Sequence, residues 1–515
     1  MKRIVLVVAA TLALAGCSVL PWTQGSEEST TITDDIGRPT VSGPPENPEA
    51  SAVYQQSVTW RTCGDLECAN IDVPIDWSEP DGATVALALS RRPADNPDKR
   101  VGSLLINPGG PGGSGIDLVK NVDTFASPKL MANYDVVGFD PRGVGESSPI
   151  DCGAGKTLDD YYVDDFVVTT QADLDAARAR NQAFAENCRA LSGPLLENVD
   201  TVSAARDMDV IRAVLGDEKL HYLGFSYGTQ LGATYAELYP QNVGRMVLDG
   251  AVDVLLDPID QSLEQAAGFE SALTSFLNWC VTRDSCELSA NVETARGQVA
   301  DIARAALDKP YASDSATLVN GNLMIYGIVV TLYDEANWEY LELALNEVLE
   351  TDTARIFSSL GNFYLDRDEQ TGDWNGNSGV AFTAIACLDS ADSASDWTIK
   401  DQSDFASKVE AVSPTFGWWF AGTGGCEGWP YAADEVVTNL DAAATAASPL
   451  LVIGTTNDPA TPYTWAQSLA ADLGAPLLTY TGEGHTAYGR SNQCVTDVVD
   501  SYLVDGVVPE DGVQC

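Results

Sequence analysis

The sequence predicts an α/β protein with a mostly parallel sheet that is covered by helices and interrupted by a large, mainly helical cap. The first observation is an alternation of short apolar runs with helical stretches such as residues 203–215 and 228–239. Several of the runs are apolar at consecutive positions, as expected of parallel strands covered on both faces. Alternation of this kind is typical of parallel sheets with helices on their faces. The predicted strands are residues 85–90, 102–107, 134–140, 220–226, 245–251, 449–454 and 475–480.

The second observation is that the alternation stops between residues 253 and 445 and resumes at Pro449. The intervening segment contains helical stretches, aromatic clusters and the Gly/Asn-rich link GDWNGNSG. Two independent domains in series would leave the last strands without a sheet to join. We therefore expect a cap over residues 253–445, inserted into one α/β domain that is formed by residues 58–252 and 446–515.

The first 57 residues predict an export signal followed by a tether. Two basic residues precede an apolar run over residues 4–15, which is shorter than the roughly 20 residues of a membrane span. The run LAGC, ending at Cys17, matches a bacterial lipobox; a plain secretion signal with an incidental cysteine is the alternative. We expect residues 1–17 to be a lipoprotein signal with Cys17 lipidated and residues 18–57 to be a disordered tether. The protein would then be extracellular, either held on the outer face of the membrane by the lipid or secreted.

Charge and cysteine content restrict the partners. The chain has 28 basic and 75 acidic residues, so the phosphates of nucleic acids would be repelled. Apart from Cys17, ten cysteines remain, an even number that indicates disulfides in an oxidising compartment. Because the chain has two histidines and no C-x-x-C motif, we expect no metal site. The expected pairs, mostly local, are Cys63–Cys68, Cys152–Cys188, Cys280–Cys286, Cys387–Cys426 and Cys494–Cys515.

The run HYLGFSYGTQLG, residues 221–232, places Ser226 between two glycines directly after a predicted strand. This pattern fits either an ordinary strand-to-turn junction or a nucleophile elbow that exposes the serine hydroxyl. A serine nucleophile needs a base to take its proton. His221 lies five residues away on the same strand, roughly 16 Å at about 3.3 Å per residue. By elimination, His485 in the Gly-bracketed loop GEGHTAYG is the expected base.

The histidine needs a carboxylate partner, and the serine needs donors for the developing oxyanion. Asp458 follows a predicted strand and precedes the histidine, which is the chain order of α/β-hydrolases; Asp249, at another strand end, is the alternative. The Gly-rich run LLINPGGPGGSG also follows a strand and lacks the Lys-Ser/Thr ending of a phosphate-binding P-loop. We expect the N–H groups of Gly110 and Tyr227 to form the oxyanion hole. Hydrolysis by a serine nucleophile with these partners requires no cofactor, so we expect none.

With these motifs, the chain resembles the α/β-hydrolase peptidases of the prolyl and tripeptidyl aminopeptidase type, above all the secreted actinobacterial tripeptidyl aminopeptidases. The resemblance extends from about residue 60 to residue 515. It implies the α/β-hydrolase fold, the triad Ser226, Asp458 and His485, and release of short peptides from free N-termini. Pro108 stands where prolyl aminopeptidases typically carry a histidine, which favours the tripeptidyl branch. The motifs are NPGGPGGSG, DPRGVGES, GFSYGT, NDPATP and GHTAYG.

An exopeptidase must also bind the ammonium group of its substrate. Glu335 and Asp389, both in the expected cap, are candidate carboxylates, and an ordinary solvated charge is the alternative for each. A carboxylesterase of the same fold is the first alternative function, because its chemistry uses the same acyl-enzyme. A non-catalytic solute-binding lipoprotein is the second, although it gives no reason for a triad in order.

Overall fold

The computed structural model describes residues 52–314, 317–390, 397–422 and 426–515. Its strands form one sheet in the order β1-β2-β3-β5-β4-β6-β7-β8-β9-β10. The strands are β1 (Arg61–Cys63), β2 (Leu66–Pro74), β3 (Thr84–Arg92), β4 (Gly102–Asn107), β5 (Tyr134–Phe139), β6 (Leu220–Phe225), β7 (Val243–Asp249), β8 (Leu451–Asn457), β9 (Leu477–Glu483) and β10 (Val513–Gln514). From β5 to β10 all neighbours are parallel, whereas β1, β2 and β3 form an antiparallel edge. The mostly parallel sheet predicted from the sequence is confirmed.

Helices that precede and helices that follow the insertion in the chain cover the sheet. Those before it are α1 (Ala52–Gln55), α2 (Gly115–Lys120), α3 (Pro128–Asn133), α4 (Lys156–Leu158), α5 (Gln171–Ser192), α6 (Thr201–Val214) and α7 (Tyr227–Leu238). Those after it are α16 (Tyr463–Leu473) and α17 (Gln493–Asp500). Side-chain caps fix some helix starts: Asp200 accepts a bond from the Ser203 N–H at 2.8 Å, at the N-terminus of α6.

The long connection between β7 and β8 is helical. Its helices are α8 (Pro258–Cys280), α9 (Val292–Asp308), α10 (Gly321–Leu332), α11 (Trp338–Thr351), α12 (Arg355–Tyr364), α13 (Ser378–Asp389), α14 (Ile399–Val412) and α15 (Gly417–Phe420). Much of the connection has its own apolar core, in which Phe276, Ile325 and Phe357 are fully buried. Because β7 and β8 are hydrogen-bonded neighbours, the chain leaves the sheet, folds these helices and returns to the adjacent position.

All five expected disulfides are present, which confirms the local pairing. Residues 52–57, which were expected to belong to the tether, include α1 and pack on the domain, because Val53 is buried and the Gln56 side chain bonds both backbone groups of Asp72. The expected signal, Cys17 and most of the expected tether lie outside the described residues. Within the described ranges, no helix has both the length and the apolar character needed to cross a membrane.

Sheet register brings the carboxyl ends of the central strands together. Phe225, the last residue of β6, pairs with Asp249 of β7, and Asp249 pairs with Ile453 of β8. At the next pair, Asn457 of β8 lies opposite Glu483 of β9. The loops that follow β6, β7, β8 and β9 therefore leave the sheet at one edge, where ligands of open α/β sheets bind.

Candidate active site

Ser226 occupies a strained turn between β6 and α7. Its φ of 56° and ψ of −127° are unusual for a residue with a side chain, as in a nucleophile elbow. Its N–H donates to the Asp249 carbonyl at 2.9 Å. Its own carbonyl accepts from the N–H and the hydroxyl of Thr229, at 2.8 and 2.7 Å. These bonds over-determine the turn and leave the serine side chain partly exposed.

The two glycines around the serine are required by close packing. A Cβ atom on Gly224 would lie 2.4 Å from the Gly228 carbonyl oxygen. A Cβ atom on Gly228 would lie 2.9 Å from Oδ1 of Asn107, on the neighbouring strand β4. Neither Gly224 of β6 nor Gly228 of α7 thus has room for a side chain, which explains the G-x-S-x-G spacing.

Asp458 and His485 form a buried pair. Nδ1 of His485 lies 2.8 Å from Oδ1 and 3.0 Å from Oδ2 of Asp458. The histidine is 7% exposed and the aspartate 3%. Oδ1 of Asp458 also accepts from the N–H groups of Ala460 and Thr461, each at 2.9 Å. A carboxylate held this firmly fixes which ring nitrogen of the histidine carries the proton and leaves Nε2 free to act as a base.

Two further residues hold this pair, and sequence reasoning did not single them out. The Thr461 hydroxyl donates to Oδ2 of Asp458 at 3.0 Å and lies 3.4 Å from Nδ1 of His485. Thr461 could have been found as part of the turn that the aspartate side chain closes in the run NDPATP. The Tyr333 carbonyl accepts from the His485 N–H at 2.8 Å, and its ring lies edge-on to the imidazole at 5.3 Å. No local signal marks Tyr333, since it belongs to the inserted segment.

Asp249, the alternative acid, contacts backbone instead of the imidazole. Its carboxylate accepts from the N–H of Ala487 at 3.0 and 3.1 Å and from that of Tyr488 at 2.7 Å. Burial raises the pKa of Asp249 to about 6, although these two N–H groups lower it. Asp249 therefore anchors the loop that carries His485 to the end of β7.

Ser226 and His485 both lie next to the end of β7. The serine N–H is bonded to the Asp249 carbonyl, and a Cβ atom on the next residue, Gly250, would lie 3.3 Å from Cε1 of His485. Within the ranges that the structure describes, no hydrogen bond joins the serine hydroxyl to the imidazole. Such bonds are often long in resting enzymes and shorten when substrate binds.

The Gly-rich loop after β4 lies directly against the serine turn. Oδ1 of Asn107 accepts from the Gly109 N–H at 2.9 Å, and Gly109 and Gly110 have φ values of 91° and 112°. A Cβ atom on Gly109 would lie 2.9 Å from Cβ of Ser226 and 3.0 Å from N of Tyr227. As the first residue of α7, Tyr227 has an N–H with no acceptor inside the helix. The loop and this N–H can together surround an oxyanion.

The remaining candidates lie elsewhere. His221 is near the start of β6, where its Nδ1 accepts from the Arg245 N–H at 3.0 Å, and burial lowers its pKa to about 4. Asp389 accepts two bonds from Thr201, at 3.0 and 2.5 Å. In the part of the chain that the structure describes, no group of three or more His, Cys, Asp or Glu residues could hold a metal ion.

Glu335 lines a pocket of about 520 Å³ that also contains His485. The pocket is formed between the inserted segment, which contributes Tyr333 and Trp338, and the loop that follows β9. Its carboxylates are those of Asp334, Glu335, Glu339 and Glu483, and its guanidinium groups are those of Arg283 and Arg490. Four carboxylates against two guanidinium groups make the pocket acidic.

Known proteins resemble this chain over most of its length. A family described as "TAP-like protein" matches residues 413–515. The serine protease Hip1 of Mycobacterium tuberculosis is 34% identical over 89% of this chain and 91% of its own. Carboxylesterase B of the same organism is 33% identical, covering 93% and 95%. The tripeptidyl aminopeptidase of Streptomyces coelicolor is 31% identical, covering 90% and 87%.

Among solved structures, the proline iminopeptidase of Mycobacterium smegmatis matches with a TM-score of 0.37 and 16% identity, covering 85% of this chain and 98% of that one. A serine hydrolase of Cycloclasticus zankles matches with a TM-score of 0.37 and 14% identity, covering 87% and 98%.

Proposed function

The chain belongs to the tripeptidyl aminopeptidase-like family of α/β-hydrolases and is a serine hydrolase, and on that premise we propose that it releases short peptides, tripeptides above all, from free N-termini. The observation that carries the proposal is the acidic pocket that contains His485. A site that binds the free N-terminus of a short peptide needs negative charge within the length of a few residues from the reacting groups. A site for an uncharged ester needs no such charge.

In the proposed reaction, Nε2 of His485 takes the proton of the Ser226 hydroxyl while Oγ attacks the scissile carbonyl carbon. The protonated imidazole then gives its proton to the leaving amine, and the C–N bond breaks to leave an acyl-enzyme. Water, deprotonated by His485, attacks the acyl carbon, and the bond from that carbon to Oγ of Ser226 breaks. The imidazolium returns its proton to Oγ, and the N-terminal peptide leaves with a new carboxyl group. Asp458 stabilises the imidazolium that forms twice in this cycle.

The N–H groups of Gly110 and Tyr227 are the proposed oxyanion donors. Preorganised donors of this kind stabilise charge that develops only in the transition state, and the loss of one commonly lowers kcat by about 10²–10³. Gly109 packs closely against the serine turn, which supports this role, because any side chain at that position would fill the space between the loop and Tyr227.

The substrate ammonium group is proposed to bind in the acidic pocket, with Glu335 as a principal carboxylate. This residue follows Asp334 in a short 3₁₀ turn, Glu335–Asn337, directly after the Tyr333 carbonyl that holds the His485 loop. The same short segment thus supplies a support of the base and two of the pocket's carboxylates. Recognition of a free N-terminus would then be tied to the geometry of the reacting histidine.

A carboxylesterase is the second candidate, favoured by the relative named Carboxylesterase B at 33% identity. Both chemistries use the same acyl-enzyme, so the substrate panel must separate them. The alternative interpretation of the chain as a non-catalytic solute-binding lipoprotein is wrong, because the chain is a serine hydrolase.

The test compares four fluorogenic substrates on the purified protein: a tripeptide amide with a free N-terminus, its acetylated twin, a single-proline amide and a short-chain ester. Ser226→Ala serves as the blank. Cleavage of the free tripeptide at least tenfold faster than its acetylated twin supports the exopeptidase. Turnover of the ester alone would keep the serine hydrolase and overturn the peptidase.

Localisation is a separate proposal. We propose that residues 1–17 direct export and that Cys17 receives a lipid, so that the enzyme acts at the outer face of the membrane. In cells expressing the full chain, Cys17→Ala should move the activity from the membrane fraction to the medium. An unchanged membrane fraction would contradict the lipid anchor.

A further inference from the structure

Helix α13 belongs to the segment inserted between β7 and β8, yet it packs on the sheet domain. Its apolar side chains share the hydrophobic cluster of the sheet and its covering helices, not the separate cluster of the inserted helices. These side chains are Val380, Ala381, Ala384, Ile385, Cys387 and Leu388. The disulfide Cys387–Cys426 fastens the last turn of the helix. The helix is therefore a fixed part of the catalytic domain.

The first turn of α13 supports the Gly-rich loop. A Cβ atom on Gly112 would lie 2.4 Å from the Ser378 carbonyl oxygen and 2.9 Å from the Phe382 N, so the loop touches the helix backbone. Just before the helix, the side-chain amide of Asn377 donates to the Gly143 carbonyl at 2.8 Å and accepts from the Gly145 N–H at 3.0 Å. This end of α13 is thus pinned on two sides.

The last residue of α13 reaches the residue that follows the nucleophile. Oδ1 of Asp389 accepts from the Thr201 N–H at 3.0 Å, and its Oδ2 accepts from the Thr201 hydroxyl at 2.5 Å. The same hydroxyl lies 2.5 Å from the phenol oxygen of Tyr227. The Tyr227 side chain is buried, and its backbone N–H opens α7 beside Gly109. One helix therefore contacts the loop that supplies one proposed oxyanion donor and is linked through Thr201 to the residue that supplies the other.

We propose that α13 is a brace for the oxyanion hole and that Asp389 is its positioning residue, which holds Tyr227 in place through the Thr201 hydroxyl. This inference rests on the proposed role of Ser226 as nucleophile, and it holds whether the physiological substrate is a peptide or an ester. Asp389 touches neither substrate nor the reacting atoms in this role.

The proposed brace depends on the direction of its hydrogen bonds, which the ionisation of Asp389 sets. With Asp389 ionised, the Thr201 hydroxyl donates to the carboxylate and the Tyr227 phenol donates to Thr201, so every polar hydrogen has an acceptor. A protonated Asp389, or an asparagine, donates to Thr201 instead and reverses the chain. The Tyr227 hydrogen then loses its acceptor inside the protein, which is unfavourable for a buried hydroxyl.

The ionisation of Asp389 falls within an accessible pH range. Burial and, to a smaller extent, the nearby Asp200 carboxylate raise its pKa to about 7, although the two bonds from Thr201 act in the opposite direction. Tyr227 is the other titratable group that faces it, from α7. Acylation of Ser226 should therefore be about tenfold faster with Asp389 ionised than with Asp389 protonated. Over the pH range in which Asp389 titrates, near pH 7, this difference should add to the slope of the logarithm of the rate against pH.

The experiment measures the acylation rate of Ser226 by a small activated ester and the affinity of a peptide-aldehyde transition-state analogue. Asp389→Asn and Tyr227→Phe should each lower the acylation rate and the analogue affinity about tenfold, less than the loss of a whole oxyanion donor. KM for the ester should not change. Because both act through one chain of bonds, the double variant should lose no more than either single variant. Asp389→Asn should also remove the slope that the titration of Asp389 adds near pH 7.

The matched control is Asp209→Asn, which removes another buried carboxylate of the same domain, one that accepts from the Tyr235 hydroxyl at 3.0 Å. It should leave the acylation rate and its pH slope unchanged. If Asp389→Asn does not fold, Thr201→Ser, which keeps the hydroxyl, should retain the acylation rate, and Thr201→Val should lose it about tenfold.

Unchanged acylation in both Asp389→Asn and Tyr227→Phe, additive losses in the double variant, or a change in KM alone would overturn the brace. A wild-type protein that forms no ester or fluorophosphonate adduct at Ser226 would instead overturn the proposed active site. The two failures are therefore distinguishable.

Discussion

The identity of the catalytic acid is tested by Asp458→Asn. In the structure, Oδ1 of Asp458 accepts from the N–H groups of Ala460 and Thr461, each at 2.9 Å. The amide oxygen of an asparagine must take this position, because its NH₂ group would otherwise face two donors. The NH₂ group then takes the position of Oδ2, 3.0 Å from Nδ1 of His485, where it can donate to that nitrogen, although the amide oxygen stays 2.8 Å away. Donation from the NH₂ group favours the tautomer that carries the imidazole proton on Nε2. A base that already carries its proton on Nε2 cannot deprotonate Ser226.

The expected loss in kcat is about 10⁴, or about 5 kcal/mol of transition-state stabilisation, as in other triads with the wrong histidine tautomer. The free energy of unfolding should decrease by much less than this. The Thr486 N–H, which now donates to Oδ2 at 3.2 Å, would face an amide NH₂ and lose its acceptor, at about 1–3 kcal/mol. KM should remain close to that of the wild type, because the substrate contacts are intact.

The assay measures kcat on the preferred substrate together with the unfolding temperature. Asp249→Asn is the matched control, since Asp249 is equally buried and also ends a strand but bonds only backbone N–H groups near the histidine. It should keep kcat within about tenfold, equivalent to about 1.4 kcal/mol. A 10⁴-fold loss in Asp249→Asn with an active Asp458→Asn would refute the assignment of the acid.

The remaining predictions concern the Gly-rich loop, the acidic pocket and the response to pH. Gly109→Ala should lower kcat by at least about 10², because its φ is 91° and the new Cβ would lie 2.4 Å from the Phe225 carbonyl oxygen. The control Gly297→Ala, which has open space around it, should be fully active, and equal activity of the two variants would contradict the packing of the loop. Glu335→Gln should raise KM for the free tripeptide about tenfold, equivalent to about 1.4 kcal/mol, and leave KM for the acetylated twin unchanged. The control is Glu293→Gln, which changes an exposed glutamate outside the pocket. An equal effect of Glu335→Gln on both substrates would contradict a role of Glu335 in ammonium binding. The pKa of Asp249 is about 6 in the folded protein, against a usual value of 3.8, so its contribution to stability is complete below about pH 4 and is lost as the pH rises through about 6. The free energy of unfolding, measured across this range, should therefore decline less in Asp249→Asn than in the wild type. Equal declines in the two proteins would exclude Asp249 as the cause.

Sequence reasoning predicts features that are local in the chain. The candidate residues follow apolar runs, and parallel strands bring their carboxyl ends to one edge, so Ser226 and Asp458 could be placed before the structure was known. The disulfides could also be paired from local sequence, because four of the five link cysteines that are at most 36 residues apart. The helical insertion was visible because the strand pattern stopped.

Features that depend on distant segments could not be predicted. Strand β2 was missed because its apolar residues alternate with exposed ones, as on an antiparallel edge, and so form no continuous run. The contact of Tyr333 with His485 and the placement of α13 against the oxyanion loop join segments more than a hundred residues apart. Asp389 was selected as a carboxylate in the cap, but the sequence could not show that Thr201 would be its partner.

The most direct test of the account is the mass of the covalent intermediate. The protein is mixed with an activated ester of a tripeptide that has a free N-terminus, quenched in acid during turnover, and analysed intact and after digestion. The account predicts a mass increase equal to one tripeptidyl group, located on the peptide that contains Ser226 and absent from Ser226→Ala. A tripeptidyl group on any other residue, or an adduct that persists in Ser226→Ala, would contradict it.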